Sequence, residues 1–119
     1  MARDVALVTT WGQSVRGREA KSLEVFMDAL TFWGKLAADG KCSQPEAFYA
    51  DDASNGILIV KGKSDVLREI QESEEYEKLV SKAQLIVDDL KVHTYVTGDD
   101  EITRGTRIFA EAGNELGYM

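Results

Sequence analysis

The run Gly56-Ile57-Leu58-Ile59-Val60-Lys61-Gly62 is a short apolar, β-branched segment held between glycines, and it predicts a buried strand. Lys63-Ser64-Asp65-Val66-Leu67 follows with the marks of a helix start. Ser64 is the expected N-cap, and Asp65 sits in the first turn, where a carboxylate meets the positive helix end. On the other side, 51–56 is turn chemistry ending in Asn55-Gly56, the strongest hairpin signal in the chain. The segment before it, Lys41–Ala50, contains the only proline, Pro45, followed by Glu46-Ala47-Phe48-Tyr49-Ala50. An edge strand is expected there, because proline lacks the amide donor that a central strand uses.

Outward from this hairpin the pattern repeats. Val5-Ala6-Leu7-Val8-Thr9-Thr10-Trp11 is apolar on both alternating faces, which predicts a strand covered on both sides. A glycine- and serine-containing loop, 12–17, leads into helical periodicity over 18–38. Leu23, Phe26, Met27, Leu30, Trp33 and Ala37 form the expected core stripe, and Val25, Ala29, Phe32 and Leu36 form a second one beside it. So wide an apolar arc needs more than one sheet to cover it. Gly40 is the expected C-terminal stop. After Ser64 the helical stretch breaks near Ser73 and resumes through Tyr76, Leu79, Val80, Ala83 and Val87, with an acidic and basic wet face. Leu90–Thr97 alternates cleanly as the last strand, and 101–116 reads as a weakly apolar terminal helix with Gly105, Phe109, Ala112 and Leu116 on one face. Two internal glycines make that helix unstable unless docked, and the second stripe of the first helix, on this chain or a partner, is the expected dock.

The order is β-α-β-β-α-β plus a terminal helix, an α+β, ferredoxin-like arrangement with a four-stranded antiparallel sheet. With 119 residues it is one domain, 1–119, large enough to hold together without disulfide or metal. Its helices cover one sheet face. The other face offers few polar residues to water, so two copies packing sheet to sheet are expected to form a homodimer.

Composition narrows the partners. A net charge of −7 and the lack of a basic stripe argue against nucleic acid and against an anionic membrane surface. No apolar run approaches the length of a membrane span, and no signal peptide is read at the start. The single Cys42 fits a reducing compartment, so a cytoplasmic location is the expectation. One histidine and one cysteine, far apart, match no metal-ligand pattern, and no phosphate-cradling glycine motif is present. No cofactor is expected.

The strand and helix order, Trp11 followed by Gly17-Arg18-Glu19 at the mouth of the first helix, and the 56–62 strand before Ser64-Asp65 resemble the dimeric α+β barrel proteins, in particular small uncharacterised bacterial members. The resemblance implies a dimer whose sheets enclose a cavity that could take a small-molecule ligand. The group includes cofactor-independent quinol monooxygenases, haem-degrading monooxygenases, muconolactone-isomerase-like enzymes and ligand-sensing domains, so the fold does not fix the function. The only histidine, His93, sits on the last strand, whereas the haem-degrading members carry their axial histidine on a helix, which argues against haem.

Candidate site residues follow. His93 and Tyr95 share a face of the last strand, where the imidazole could act as a general base and the phenol could orient an aromatic substrate. The alternative is a polar pair satisfied at a dimer interface. Trp11 and Tyr49 could wall a pocket or simply belong to the core. Arg16 and Arg18, with Glu19 at a helix start, could hold a carboxylate or phosphate, or pair with surface charges. Two functions are therefore open. One is a ligand-binding dimer without assigned activity. The other is a cofactor-independent monooxygenase or isomerase on a small aromatic or quinone-like substrate, with His93 as base.

Overall fold

In the computed structural model, which describes residues 2–118, β1 (Asp4–Trp11) leads through α1 (Glu19–Ala38) to β2 (Glu46–Tyr49) and β3 (Gly56–Lys63). Then come α2 (Ser64–Gln71), α3 (Glu74–Gln84), β4 (Lys91–Val96) and α4 (Asp99–Glu115). The strands form one antiparallel sheet in the order β2-β3-β1-β4. This is the ferredoxin-like arrangement, with the second helix divided at Ser73 and a terminal helix added. The proline-led β2 is indeed an edge.

Register decides what each sheet face offers. Leu7 lies opposite Val60, Thr9 opposite Leu58 and Val92, and Trp11 opposite Gly56. Strand alternation therefore aims Val5, Leu7, Thr9 and Trp11 at one face and Ala6, Val8 and Thr10 at the other. On the first face Val5, Leu7, Leu58 and Val60 pack with Trp33 of α1, Leu67 and Ile70 of α2, and Tyr76 of α3 into the core. The second face carries Ala6, Val8, Ile57 and Ile59 at its centre, with Phe48, His93 and Tyr95 toward its edges. None of α1, α2 or α3 packs there, and Phe48 and Tyr95 are exposed.

Local chemistry sets the helix ends. After α1, the Gly40 amide donates to the Ala37 carbonyl and the Lys41 amide to that of Leu36, with Gly40 at φ +76. That is a Schellman stop. Ser73 caps α3, its hydroxyl accepting from the Tyr76 amide at 3.2 Å. Ser64 does not cap α2. Its amide donates to the Arg3 carbonyl at 2.8 Å and its hydroxyl accepts from the Arg3 amide at 2.9 Å, so it prolongs the β1–β3 ladder while Lys63 takes the cap position. The helical pattern expected to reach Val87 stops at Gln84, because 85–88 pairs instead with the loop after β1. The Val15 amide donates to Ile86, the Asp88 amide to Gln13 and the Gly12 amide to Asp88.

Two packing expectations need correction. Leu23 and Met27 of the expected α1 core stripe are 61% and 53% exposed, while Ala29, Phe32 and Leu36 of the second stripe pack against the core. Leu30 and Trp33 of the first stripe keep their place in the core, and Phe32 of the second joins Trp33 against Tyr76, with ring centroids 6.2 and 5.9 Å away. The buried face therefore lies between the two stripes and leaves Leu23 and Met27 outside it. The stripe expected to receive the terminal helix is thus already used. Accordingly α4 has no buried residue, and starts at Asp99, its first turn built from Asp99, Asp100 and Glu101.

The chain exposes 8265 Å², against roughly 6,400 Å² for a compact monomer of its mass. Its radius of gyration is 17.0 Å and its long axis 54 Å, where about 13–14 Å is usual for the radius at this length.

Gly56 is where the sheet depends on the absence of a side chain. A Cβ there would stand 2.4 Å from the Trp11 ring, which lies across the glycine opposite it. Gly56→Ala is expected to displace Trp11 and cost about 1–3 kcal/mol, read by urea unfolding together with a shift in tryptophan emission. Unchanged stability and emission would contradict this packing.

Candidate functional site

Between the helix-facing side of the sheet and helices α1 and α3 lies a cavity of about 250 Å³. Its floor is Thr9, Trp11, Tyr49 and Leu58; one wall is Ser22, Phe26, Ala29 and Trp33 of α1. The other wall is Tyr76, Val80 and Ala83 of α3 with Ile86 and Val87 after it. Small side chains explain the space: Ala29 and Ala83 line walls that Phe26, Trp33 and Tyr76 prop away from the sheet. The exposed residues Glu19, Leu23, Tyr49, Ala53 and Asn55 form its rim.

The lining is mainly aromatic and aliphatic. Trp11 and Phe26 ring centroids are 5.9 Å apart, Phe26 and Tyr49 5.4 Å, and Trp33 and Tyr76 5.9 Å in an edge contact. These offset and tilted geometries suit the aromatic quadrupole and leave ring faces for a flat guest. Polar groups are few. The Ser14 hydroxyl donates to that of Ser22 at 2.8 Å, and Thr9, Asn55, Glu19 and Tyr76 complete the set. Among the described residues every buried side-chain nitrogen or oxygen is hydrogen-bonded. Burial pushes the Tyr76 phenol above its ordinary value, and a hydrogen bond with Gln71 offsets part of that. Tyr76 is therefore a neutral hydrogen-bonding group at physiological pH, not a base.

The structure separates the residues singled out in the sequence. Trp11 and Tyr49 line the cavity. Arg18 does not: its guanidinium donates to the Leu85 carbonyl, tying the start of α1 to the loop after α3. Arg16 is exposed and is not part of the lining. His93 and Tyr95 lie side by side, ring centroids 6.1 Å apart, on the opposite face of the sheet. The cavity within the chain and the His93–Tyr95 pair are thus on opposite sides of one sheet. Ala29, Phe26, Trp33, Leu58 and Tyr76 went unrecognised as site residues, because an apolar helical stripe reads the same whether it fills a core or lines a hollow. The usable signal was the small Ala29 and Ala83 on helices that carry large aromatics.

Cys42 is half-buried, which raises its thiol pKa, and its Sγ lies 4.0 Å from the Trp33 carbonyl. Among the described residues no group of three or more His, Cys, Asp or Glu is placed to hold a metal ion. No helix among them is long and apolar enough to cross a membrane.

The chain shares its ferredoxin-like α+β fold with several solved structures. Rv0793 from Mycobacterium tuberculosis superposes with a TM-score of 0.62 at 17% identity, covering 81% of this chain and 96% of that one. SnoaB from Streptomyces nogalater, a cofactor-independent oxygenase, gives 0.64 at 13% identity over 82% and 96%. A proposed antibiotic biosynthesis monooxygenase from Deinococcus radiodurans gives 0.62 at 12% over 80% and 93%. The sequence matches no protein-family profile and no curated protein. At such identities the likeness is one of fold.

In an ultraviolet titration the Tyr76 phenol is expected to ionise above the ordinary tyrosine value. The folded-state pKa is raised above the unfolded value, so the associated stability is fully present below pH 10 and is lost as pH rises through the folded pKa. A single transition at the ordinary tyrosine value in the native protein would contradict the burial of this phenol.

Proposed function

We propose that the protein is a homodimer, formed through the open sheet faces, that binds a small, flat, mainly apolar ligand in the cavity of each chain. The observation that carries the ligand reading is the cavity itself: about 250 Å³, walled by Trp11, Phe26, Trp33, Tyr49 and Tyr76, with a few hydroxyl and amide groups at fixed positions. An apolar cavity of roughly 150 Å³ holds benzene, so this one suits a mono- or bicyclic aromatic. Aromatic faces supply the affinity, and Thr9, Ser14, Ser22 and Asn55 supply orientation. The dimer reading is supported by the apolar centre of the open face and by the surplus of exposed surface.

A second reading, a cofactor-independent oxygenase or isomerase, draws on the fold shared with SnoaB. The chemistry of the cavity favours binding over that reading. Its titratable lining groups are Glu19 and Tyr49 at the rim and the neutral Tyr76, with no histidine among them. His93, the base that the enzyme reading requires, serves only a substrate held on the opposite sheet face.

Both tryptophans of the chain line the cavity, so its occupancy is readable by fluorescence. With 2-naphthol as probe, saturable energy transfer from tryptophan is expected. Ala29→Phe, which fills the cavity, is expected to weaken binding at least tenfold while circular dichroism stays native. His93→Ala is expected to leave it within twofold. Loss of binding in His93→Ala with retention in Ala29→Phe would move the site to the open face and revive the enzyme reading.

A further inference from the structure

We infer that α4 is an exchanged arm, which docks across a second copy of the chain and covers the mouth of that copy's cavity. The inference rests on the homodimer proposed above and adds to it the partner's contribution to the site.

The first observation is that α4 lacks a cover. Ile102, Phe109 and Leu116 recur every seven residues, so they share one face of the helix, and they are 53%, 70% and 72% exposed. With Gly105 and Gly113 inside it, a helix of this length is not stable in water by itself. Its first turn lies near the body of its own chain, where the Glu101 charge bears on Lys63.

The second observation is area. The surplus over a compact monomer is roughly 1,800 Å² per chain, or near 3,600 Å² for a pair. That falls in the range of about 2,000–5,000 Å² for obligate homodimers, and a twofold exchange of identical arms closes such an assembly without leaving open ends. The solved structures above leave about a fifth of this chain unmatched while nearly all of each of them is covered.

The third observation locates the dock. Among the described residues, apart from α4 and its tail, the large apolar side chains left exposed are few. Phe48 and Tyr95 belong to the open sheet face, Val96 to the root of the arm, and Leu85 to the loop tied by Arg18. What remains is a ledge of Leu23, Met27 and Tyr49, each more than half exposed. Leu23 and Met27 stand one helical turn apart on α1, and Tyr49 is linked to them through its ring contact with Phe26. Leu23 and Tyr49 also form part of the cavity rim. A helix laid on this ledge closes the mouth, so each cavity is completed by the other chain.

Disulfide trapping in the full chain, on a Cys42→Ser background, tests this. Leu23→Cys combined with Phe109→Cys is expected to give a covalent dimer under mild oxidation, running at twice the chain mass on a non-reducing gel. Either single variant is expected to stay uncrosslinked. Sedimentation equilibrium of the unmodified protein is run alongside. A dimer in solution with no crosslink would overturn the arm while sparing the homodimer. Crosslinking of Phe109→Cys alone would show arms paired with each other and overturn the dock. An intrachain disulfide in the double variant would show the arm folding back and overturn the exchange. A monomer by sedimentation would overturn the homodimer and the arm together.

Discussion

The pairing of Leu7 with Val60 at the centre of the sheet, backed by Trp33, Leu67 and Tyr76, is the contact on which the rest of the molecule depends. Leu7, Val60 and Leu67 are the most completely buried large side chains in the chain. The same two strands are apolar on the reverse side, where Ala6, Val8, Ile57 and Ile59 sit without a helix over them. A central strand pair with two apolar faces and helices for only one of them creates a standing demand for a second layer. The sheet thus acts as a partition, with the chain's own aromatic cavity on one side and, on the other, the open face through which we propose that two copies pair.

Aromatic size produces the cavity. Trp33 and Phe26 of α1 line the hollow between that helix and the sheet, and Ala29 and Ala83 beside them do not fill it. The chain pays for this hollow in lost packing, and retains it because Trp11, bent over Gly56, and Tyr76, capped into place by Ser73, give its walls fixed positions. Arg18, which looks like an anion ligand in one dimension, is spent on holding the loop after α3 against the start of α1.

Much of this was legible in the residues. The strand and helix order, the edge strand behind Pro45, the break at Ser73, the stop at Gly40 and the alternation that puts His93 and Tyr95 on one face all come from local chemistry that acts over a few residues. What was not legible depends on rotation and distance. Two adjacent apolar stripes on α1 leave its roll about the axis open, and only the reach of Phe32 and Trp33 to Tyr76 settles it, turning Leu23 and Met27 outward. Trp11 and Tyr49 could be named as aromatic walls, but not joined to Phe26, Ala29 and Trp33, because an apolar periodicity carries no sign of whether its interior is filled. The separation of His93 from the cavity follows from register, which a sequence of alternating strands leaves free until the pairing is known.

The partition is tested most directly by counting ligands. Native mass spectrometry of the protein with 2-naphthol at saturation should show the dimer carrying two ligands, one for each chain, with a singly occupied species only at lower probe concentration. A dimer that saturates at one ligand would place the binding space between the two sheets, on the twofold axis beside His93 and Tyr95, and would contradict the account.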